Sequence, residues 1–360
     1  MTAQRIRTWL FNGGSFVLAA ALLYLAFRGI PVDELAEAFR TANYWWLVPL
    51  VGLVLASNAL RVLRWQLLLD TLPARAYQEG ATPQRVGFMT AFASTMIGYM
   101  ANYVAPRAGE FARTGHLALK HRLRFSSVLG TVVVERILDT AVLGIALVTG
   151  LWYVRDRLGA LVEEAALGLP TWTEDLAFWG AVMASGAALV AMLSAWLLPH
   201  VARRVQAWYR LVVRPLLRHF WDGVDTVRTT RHPWAVVGTT IGMWGGYLLM
   251  AYIPFRMLHI AAPYGIGLAD AWALMAIGAL GLLVPAPGGL GSFHYITIVA
   301  LGTLYQMPEA PAASYAVLTH ASQLIFYTGA GALCLAIYGT GLRELRAASA
   351  EAADVASESA

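Results

Sequence analysis

Long apolar stretches separated by short charged ones organise this chain. Apolar runs occupy residues 8–27, 44–63, 127–152, 176–198, 234–253 and 313–338, each near or above the ~20 residues that a helix needs to cross ~30 Å of hydrocarbon. The pattern predicts an all-α, polytopic integral membrane protein with about six full spans. Two further apolar segments are too short or too broken to count among them. Residues 87–125 are interrupted at Ala105-Pro106-Arg107-Ala108-Gly109, and residues 269–305 at Pro285-Ala286-Pro287-Gly288-Gly289-Leu290-Gly291. One transmembrane domain is expected over residues 1–342. The Ala- and acid-rich residues 343–360 are too short and polar for a domain and are expected to be disordered.

Charge in the connections sets the topology, because cytoplasmic loops carry an excess of Lys and Arg. Arg5 and Arg7 precede the first run; that run is long and no cleavage site stands out behind it, so an uncleaved first helix is expected. Arg61, Arg64, Arg75 and Arg85 follow the second run, and Arg113, Lys120, Arg122 and Arg124 precede the third. Residues 199–233 carry seven Arg, whereas residues 28–41 and 155–175 are acid-rich. Both termini are therefore expected in the cytoplasm. This alternation requires an even number of crossings between Arg85 and Phe125. Two full crossings would put Glu110, Arg113, His116 and Lys120 into hydrocarbon, at ~2.5–3.5 kcal/mol per charge. A re-entrant hairpin over about 87–125 is the remaining solution, with its Pro-Arg-Ala-Gly-Glu turn lining a cavity, since irregular backbone at membrane depth needs protein or water around it.

The legs on either side of the second turn are also shorter than a span, which predicts a second hairpin over about 269–305, opening to the outside. The two turns resemble each other in their Ala-Pro and Gly-Glu-Phe or Gly-Ser-Phe elements, and each follows an Ile-Gly pair, Ile97-Gly98 and Ile277-Gly278. Paired Pro/Gly-interrupted segments of this kind point to an inverted repeat with a site near the midplane. Two unrelated helix-packing kinks are the alternative.

Composition agrees with a membrane protein: 58% of residues are hydrophobic and 13% charged, against roughly 45–50% and 25% in soluble proteins. Cys334 is the single cysteine, which excludes an intrachain disulfide and a thiolate metal site. Lys120 is the only lysine among 26 basic residues; the Arg bias favours bidentate pairing with phosphate or carboxylate. These Arg lie beside apolar runs, where anionic lipid accounts for them better than nucleic acid. Around residues 200–231, Val205, Trp208, Val212, Leu216 and Phe220 recur at helical spacing opposite Arg, predicting an interfacial amphipathic helix.

Ionisable residues within apolar segments are the functional candidates. Glu135 and Asp139 share a helical face, and Arg136 can pair with Asp139 three residues on. Two carboxylates and one Arg leave one negative charge, for which Arg107 or Arg113 of the preceding hairpin is the expected partner. Arg61 and Arg64, with Trp65, stand near the end of the second span, either as a phosphate fork or as a topology anchor. His294 follows the second turn, and Thr319, His320 and Gln323 form a polar patch in the last run. Each His alone suits helix–helix hydrogen bonding; a proton relay is the alternative, ligand spacing supports no metal, and a Ser292/His320 dyad lacks any companion motif. No cofactor is called for, and no nucleotide-binding loop is visible.

Four elements together resemble the flippase-like membrane region of lysylphosphatidylglycerol synthases: Arg61-Val-Leu-Arg64-Trp65, the stretch Asn102 to Arg113 around Pro106-Arg107-Ala108-Gly109-Glu110, Glu135-Arg136-Ile-Leu-Asp139, and Pro285-Ala-Pro-Gly-Gly-Leu-Gly291. The resemblance implies paired re-entrant hairpins and movement of phospholipid, or of aminoacylated or glycosylated lipid, between leaflets of the cell membrane. On that basis Arg107, Arg113, Arg136, Arg61, Arg64 and Asn102 are expected to bind substrate, and Glu110, Glu135 and Asp139 to balance charge or exchange a proton. Pro106, Gly109, Pro285, Pro287, Gly288, Gly289 and Gly291 shape the turns. Where relatives often carry Glu, this chain has His294. The soluble aminoacyl-transferring domain has no counterpart here, so synthase activity is not expected. The competing expectations are an accessory partner of a lipid-modifying enzyme and an intramembrane enzyme acting on a lipid headgroup.

Overall fold

The structure, a computed structural model, describes residues 3–104, 108–157, 225–282, 284 and 286–338. The expected span at 176–198, residues 200–224 of the amphipathic segment, Pro106, Arg107, Pro285 and the tail at 343–360 lie outside these. The remainder of the amphipathic segment contains a single helical turn, Thr226–Thr229. Every regular element among the described residues is helical. In chain order these are α1 Ala3–Phe27, α2 Val32–Arg40, α3 Leu47–Leu69, α4 Phe88–Val104, α5 Ala108–His121, α6 Phe125–Tyr153, α7 Pro233–Met257, α8 Leu268–Gly281, α9 Ser292–Tyr305 and α10 Glu309–Tyr338. Among the described residues α3 with its leading turn, α7 and α10 are long and apolar enough to cross a bilayer, and α1 turns by 85° into α2. At 29 residues α6 is also long enough, about 43 Å at 1.5 Å per residue, but it carries Glu135, Arg136 and Asp139.

The two broken apolar segments fold as helix hairpins, α4–α5 and α8–α9. With 17 and 14 residues in the first and 14 in each leg of the second, all four legs fall short of ~30 Å. The first hairpin begins and ends on one side of the molecule. Gln66 at the end of α3 donates to the Val86 carbonyl just ahead of α4 (2.6 Å). The chain after α3 also pairs with the chain after α5 through Gln78 N–H to Arg122 O and Arg124 N–H to Ala76 O, both 2.8 Å. The second hairpin is closed in the same way at its own base, where the Tyr305 hydroxyl at the end of α9 donates to Asp270 at the start of α8 (2.9 Å). Helix α6 runs from one base to the other: Phe125 follows the first, and Tyr153 with Arg157 reaches Asp270 at the second. The hairpins are thus opposed, and their tips meet where Gly288 of the second turn packs on the ring of Tyr103 at the end of α4.

Close packing within each hairpin explains the repeated Ile-Gly pair. A Cβ on Gly98 would lie 2.8 Å from the Gly109 carbonyl oxygen and 3.0 Å from Arg113 Cβ, and one on Gly278 would lie 3.0 Å from the Phe293 ring; Gly281, one turn on, would meet the Phe293 backbone at 2.8 Å. Small residues let the legs approach to backbone distance, which is how helices gain packing energy in lipid. In the second turn Gly288, Gly289 and Gly291 have φ of +59°, +75° and +82°, a region costly for other residues. The Ser292 hydroxyl closes this turn by donating to Gly281 O (2.6 Å). Apolar cores flank both hairpins, around Trp65, Leu117 and Val132 for the first and Phe255, Leu274, Leu301 and Tyr315 for the second.

Two glycines of α5 test this packing. Gly109→Ala drives a methyl into the Gly98 carbonyl and Asn102 and is expected to destabilise by about 1–3 kcal/mol. Gly115→Ala, whose Cβ meets only Phe125 at 3.9 Å, is expected to be neutral or stabilising by up to about 1 kcal/mol. Thermal unfolding of purified protein in detergent measures both.

Candidate functional site

Glu135 sits ten residues into α6, about 15 Å from its start, half the depth of a hydrocarbon core. It is fully buried, and an unpaired carboxylate there would carry a large desolvation cost. Guanidinium groups surround it. Arg113 of α5 approaches its Oε2 (2.5 Å), while Arg64 and Arg61 of α3 lie 3.4 and 3.9 Å from its Oε1. One turn along, Asp139 receives Arg64 Nη2 (2.7 Å) and Arg61 Nη1 (2.9 Å) on separate oxygens, with Arg136 Nη2 at 3.5 Å. Arg136 also faces Glu110 of α5 at 3.9 Å.

The surrounding helices orient these groups. Arg61 donates to the Tyr247 hydroxyl (2.9 Å) and Arg64 to Thr240 (3.1 Å), both on α7. Arg113 lies over the Trp65 ring at 4.8 Å, a cation–π contact strengthened by exclusion of water. The indole N–H is held in turn by Thr131 (2.9 Å). The i, i+3 spacing of Arg61 and Arg64, and the i, i+4 spacing of Glu135 and Asp139, put each pair on one helix face. Forked Arg donors then bridge the two carboxylates.

Two features set this arrangement apart from a neutral lock. Four guanidinium groups meet three carboxylates, so one positive charge among the described residues has no counterpart. The Nε atoms of Arg64 and Arg136 are buried without a hydrogen-bond acceptor. The cluster is also open on one edge. Arg136 and Glu110 side chains are 41% and 28% exposed, and beside them Val104, Phe111 and Ile137 are exposed apolar residues. A polar site therefore opens through an apolar rim.

Arg113 fills the role foreseen for it against Glu135, and Arg136 pairs with Asp139 as its spacing predicts. Arg107, the alternative partner, lies outside the described residues. Arg61 and Arg64 differ from the expectation of a headgroup-level fork or anchor: both are buried and join the acids of α6, because α3 packs its polar face against α6 rather than ending at an interface. Asn102 accepts the Gly109 N–H at 2.7 Å, satisfying a free donor at the start of α5. His294 and His320 meet across α9 and α10 with ring centroids 4.9 Å apart. Ser292 is bonded to backbone carbonyls rather than to His320, and Gln323 lies one turn beyond His320.

A second ion pair escaped the sequence reading. Asp270, 3% exposed, accepts from Arg157 (2.9 Å), Tyr305 (2.9 Å), Tyr153 (3.4 Å) and the Gly267 N–H (2.8 Å). An acid three residues after Gly267 at the head of an apolar leg was the available signal. Its partners, on other elements, were not readable. With every contact satisfied, this pair latches α6 to the base of the second hairpin.

The family description Lysylphosphatidylglycerol synthase TM region matches residues 14–331, a range that includes every residue of the cluster. No curated protein and no solved structure matches the chain.

Removing one partner of a buried pair leaves its counter-charge stranded. Glu135→Ala is accordingly expected to destabilise by about 3–5 kcal/mol. Arg85→Ala, which breaks an exposed pair with Asp70 (3.0 Å), is expected to cost at most about 1 kcal/mol. Unfolding of both variants in detergent, measured side by side, checks the contrast.

Proposed function

Since the chain belongs to the lysylphosphatidylglycerol synthase TM-region family, and so to a group tied to membrane lipid, we propose that it is a lipid flippase of the cell membrane. It carries phospholipid, or lipid with an aminoacylated or glycosylated headgroup, between leaflets, and leaves the lipid chemically unchanged. The observation that carries this reading is the buried cluster with one guanidinium charge more than its carboxylates. A lipid phosphate supplies one negative charge and several acceptor oxygens, which suits the free Nε donors of Arg64 and Arg136.

The opening beside Arg136 and Glu110 gives the headgroup a way in while acyl chains stay against Val104, Phe111 and Ile137. In the empty state Glu110, Glu135 and Asp139 offset most of the cationic charge. A phosphate arriving at Arg136 competes with Glu110, whose contact with Arg136 is a loose 3.9 Å and the more exposed of the cluster's long contacts. The opposed hairpins then enter from the two faces, the first from the cytoplasm, where the basic connections and both termini lie.

Reconstitution in liposomes with fluorescent phosphatidylglycerol, followed by chemical bleaching of the outer leaflet, tests this directly. Wild-type protein is expected to expose inner-leaflet label. Arg136→Gln, which removes one charged donor at the opening, is expected to slow exchange about tenfold, and Arg85→Ala to leave it unchanged. Undiminished exchange in Arg136→Gln would refute the site. Lipid of altered mass would favour an enzyme, and no exchange over a broad lipid panel would favour an accessory role. For the topology, a membrane-impermeant thiol reagent added outside intact cells is expected to leave Lys120→Cys, at the exposed end of α5, unlabelled.

A further inference from the structure

The cluster around Glu135 has all its carboxylates engaged by arginines, but the molecule buries a second set of titratable groups that no counter-charge meets. His294, in the first turn of α9, and His320, in the middle of α10, are each 5% exposed, with ring centroids 4.9 Å apart. His320 Nε2 lies 2.9 Å from the Gly288 carbonyl oxygen. A carbonyl only accepts, so this nitrogen carries the proton and Nδ1 of His320 keeps its lone pair. Nδ1 of His294 is buried with no partner, as is the Thr297 hydroxyl one turn along the same face of α9. A buried polar atom without a partner is costly and calls for an occupant.

The surroundings of the pair are aromatic. Phe27 of α1 stands 5.7 Å from His294, Phe293 stacks on His320 at 5.6 Å, and Tyr103 of α4 meets His320 edge-on at 6.3 Å. Tyr103 is the one other titratable group whose ring contacts the pair among the described residues. No carboxylate or guanidinium there forms an ion pair or hydrogen bond with either imidazole. Two imidazolium charges side by side in such surroundings would repel without compensation, so the pair has room for one proton and not two.

We propose that His294 and His320 form a proton-binding site that holds a single proton between them and couples it to lipid movement; this rests on the flippase reading above. A proton added at His294 makes that ring a donor at both nitrogens, and the neighbouring His320 ring, 4.9 Å away between centroids, offers a lone pair to accept from it. Protonation draws α9 toward α10, and loss of the proton releases it. No covalent bond is made or broken. The Gly288 carbonyl that His320 holds belongs to the turn that packs against Tyr103, so the proton acts on the junction between the two hairpin tips. Tyr103 stands at the end of α4, and α5 beyond it carries Glu110 and Arg113 of the arginine–carboxylate cluster. Proton uptake at one face and release at the other would drive the headgroup's passage.

Exchange of fluorescent phosphatidylglycerol in proteoliposomes is measured at matched internal and external pH. It is expected to change at least about threefold between about pH 5 and pH 8, and an imposed pH difference is expected to bias the label toward one leaflet. His294→Gln and His320→Gln are both expected to flatten the pH profile and abolish the bias while exchange continues; the Gln amide at 320 retains a donor for Gly288. A wild-type profile that is flat, or variants that keep the wild-type profile, would overturn the proposal. Nitrogen NMR of protein labelled at histidine reads the pair without reference to transport. The resonances of His294 and His320, assigned by loss in the two variants, are expected to move together in one step as a proton is taken up. Separate titration of the two rings, or none between about pH 4 and pH 9, would overturn the site. Coupled titration without lipid exchange would preserve the proton site and remove the flippase reading instead.

Discussion

The structure depends on the need to neutralise Glu135, ten residues into the 29 of α6. A fully buried carboxylate in an apolar helix is tolerated only when cations reach it, and the nearest ones stand on α3 and α5. Meeting that need fixes the rotation of α3 about its own axis and the depth to which α5 is inserted. Tyr247 and Thr240 bring α7 into the same network through the guanidinium donors left over. Four helices are thus registered by one acid. Hydrophobic contacts are poor at setting such a register in lipid, where apolar side chains gain little by choosing a helix over an acyl chain.

The hairpins answer a second constraint. Backbone that leaves the helix inside a bilayer must find its hydrogen bonds within the protein. At the first turn Asn102 supplies an acceptor for Gly109; at the second, Ser292, His320 and the positive-φ glycines close the chain on itself. The second turn packs on the end of α4, where Gly288 meets Tyr103, so protein rather than lipid is its neighbour there. The same junction places two chemically different groups in mechanical contact: a cationic cluster on the side of the first hairpin, and a pair of uncompensated imidazoles on the side of the second. On the proposed reading such separation matters, since a proton site beside four arginines would be emptied by repulsion.

Buried ion pairs contribute little net stability once desolvation is counted. The excess of arginine over acid here is better understood as unfinished neutralisation. Glu110 and Arg136 sit at the loose edge of the cluster and are its most exposed members, and apolar residues rim the opening beside them. The Asp270 latch, in contrast, is saturated with donors. The two clusters use similar residues and differ in satisfaction: the closed one holds helices together, and the open one has a valence to fill.

Much of this was legible in the residues. Span lengths, the even number of crossings demanded by the basic loops, and the short legs around two Pro/Gly turns predict an all-α membrane protein with paired hairpins, because hydrocarbon thickness and charge transfer act on local sequence. The i, i+3 and i, i+4 spacings within Glu135-Arg136-Asp139 and Arg61-Arg64 show which side chains share a face of their own helix. They do not show which helix faces which. That Arg61 and Arg64 leave the interface to bridge Glu135 and Asp139, that Arg157 and Tyr305 converge on Asp270, and that His294 meets His320 were decided by tertiary packing. The physical reason is range: burial and periodicity act within a segment, whereas charge neutralisation pairs residues 71 or 113 positions apart, and only the folded arrangement of helices selects the partner.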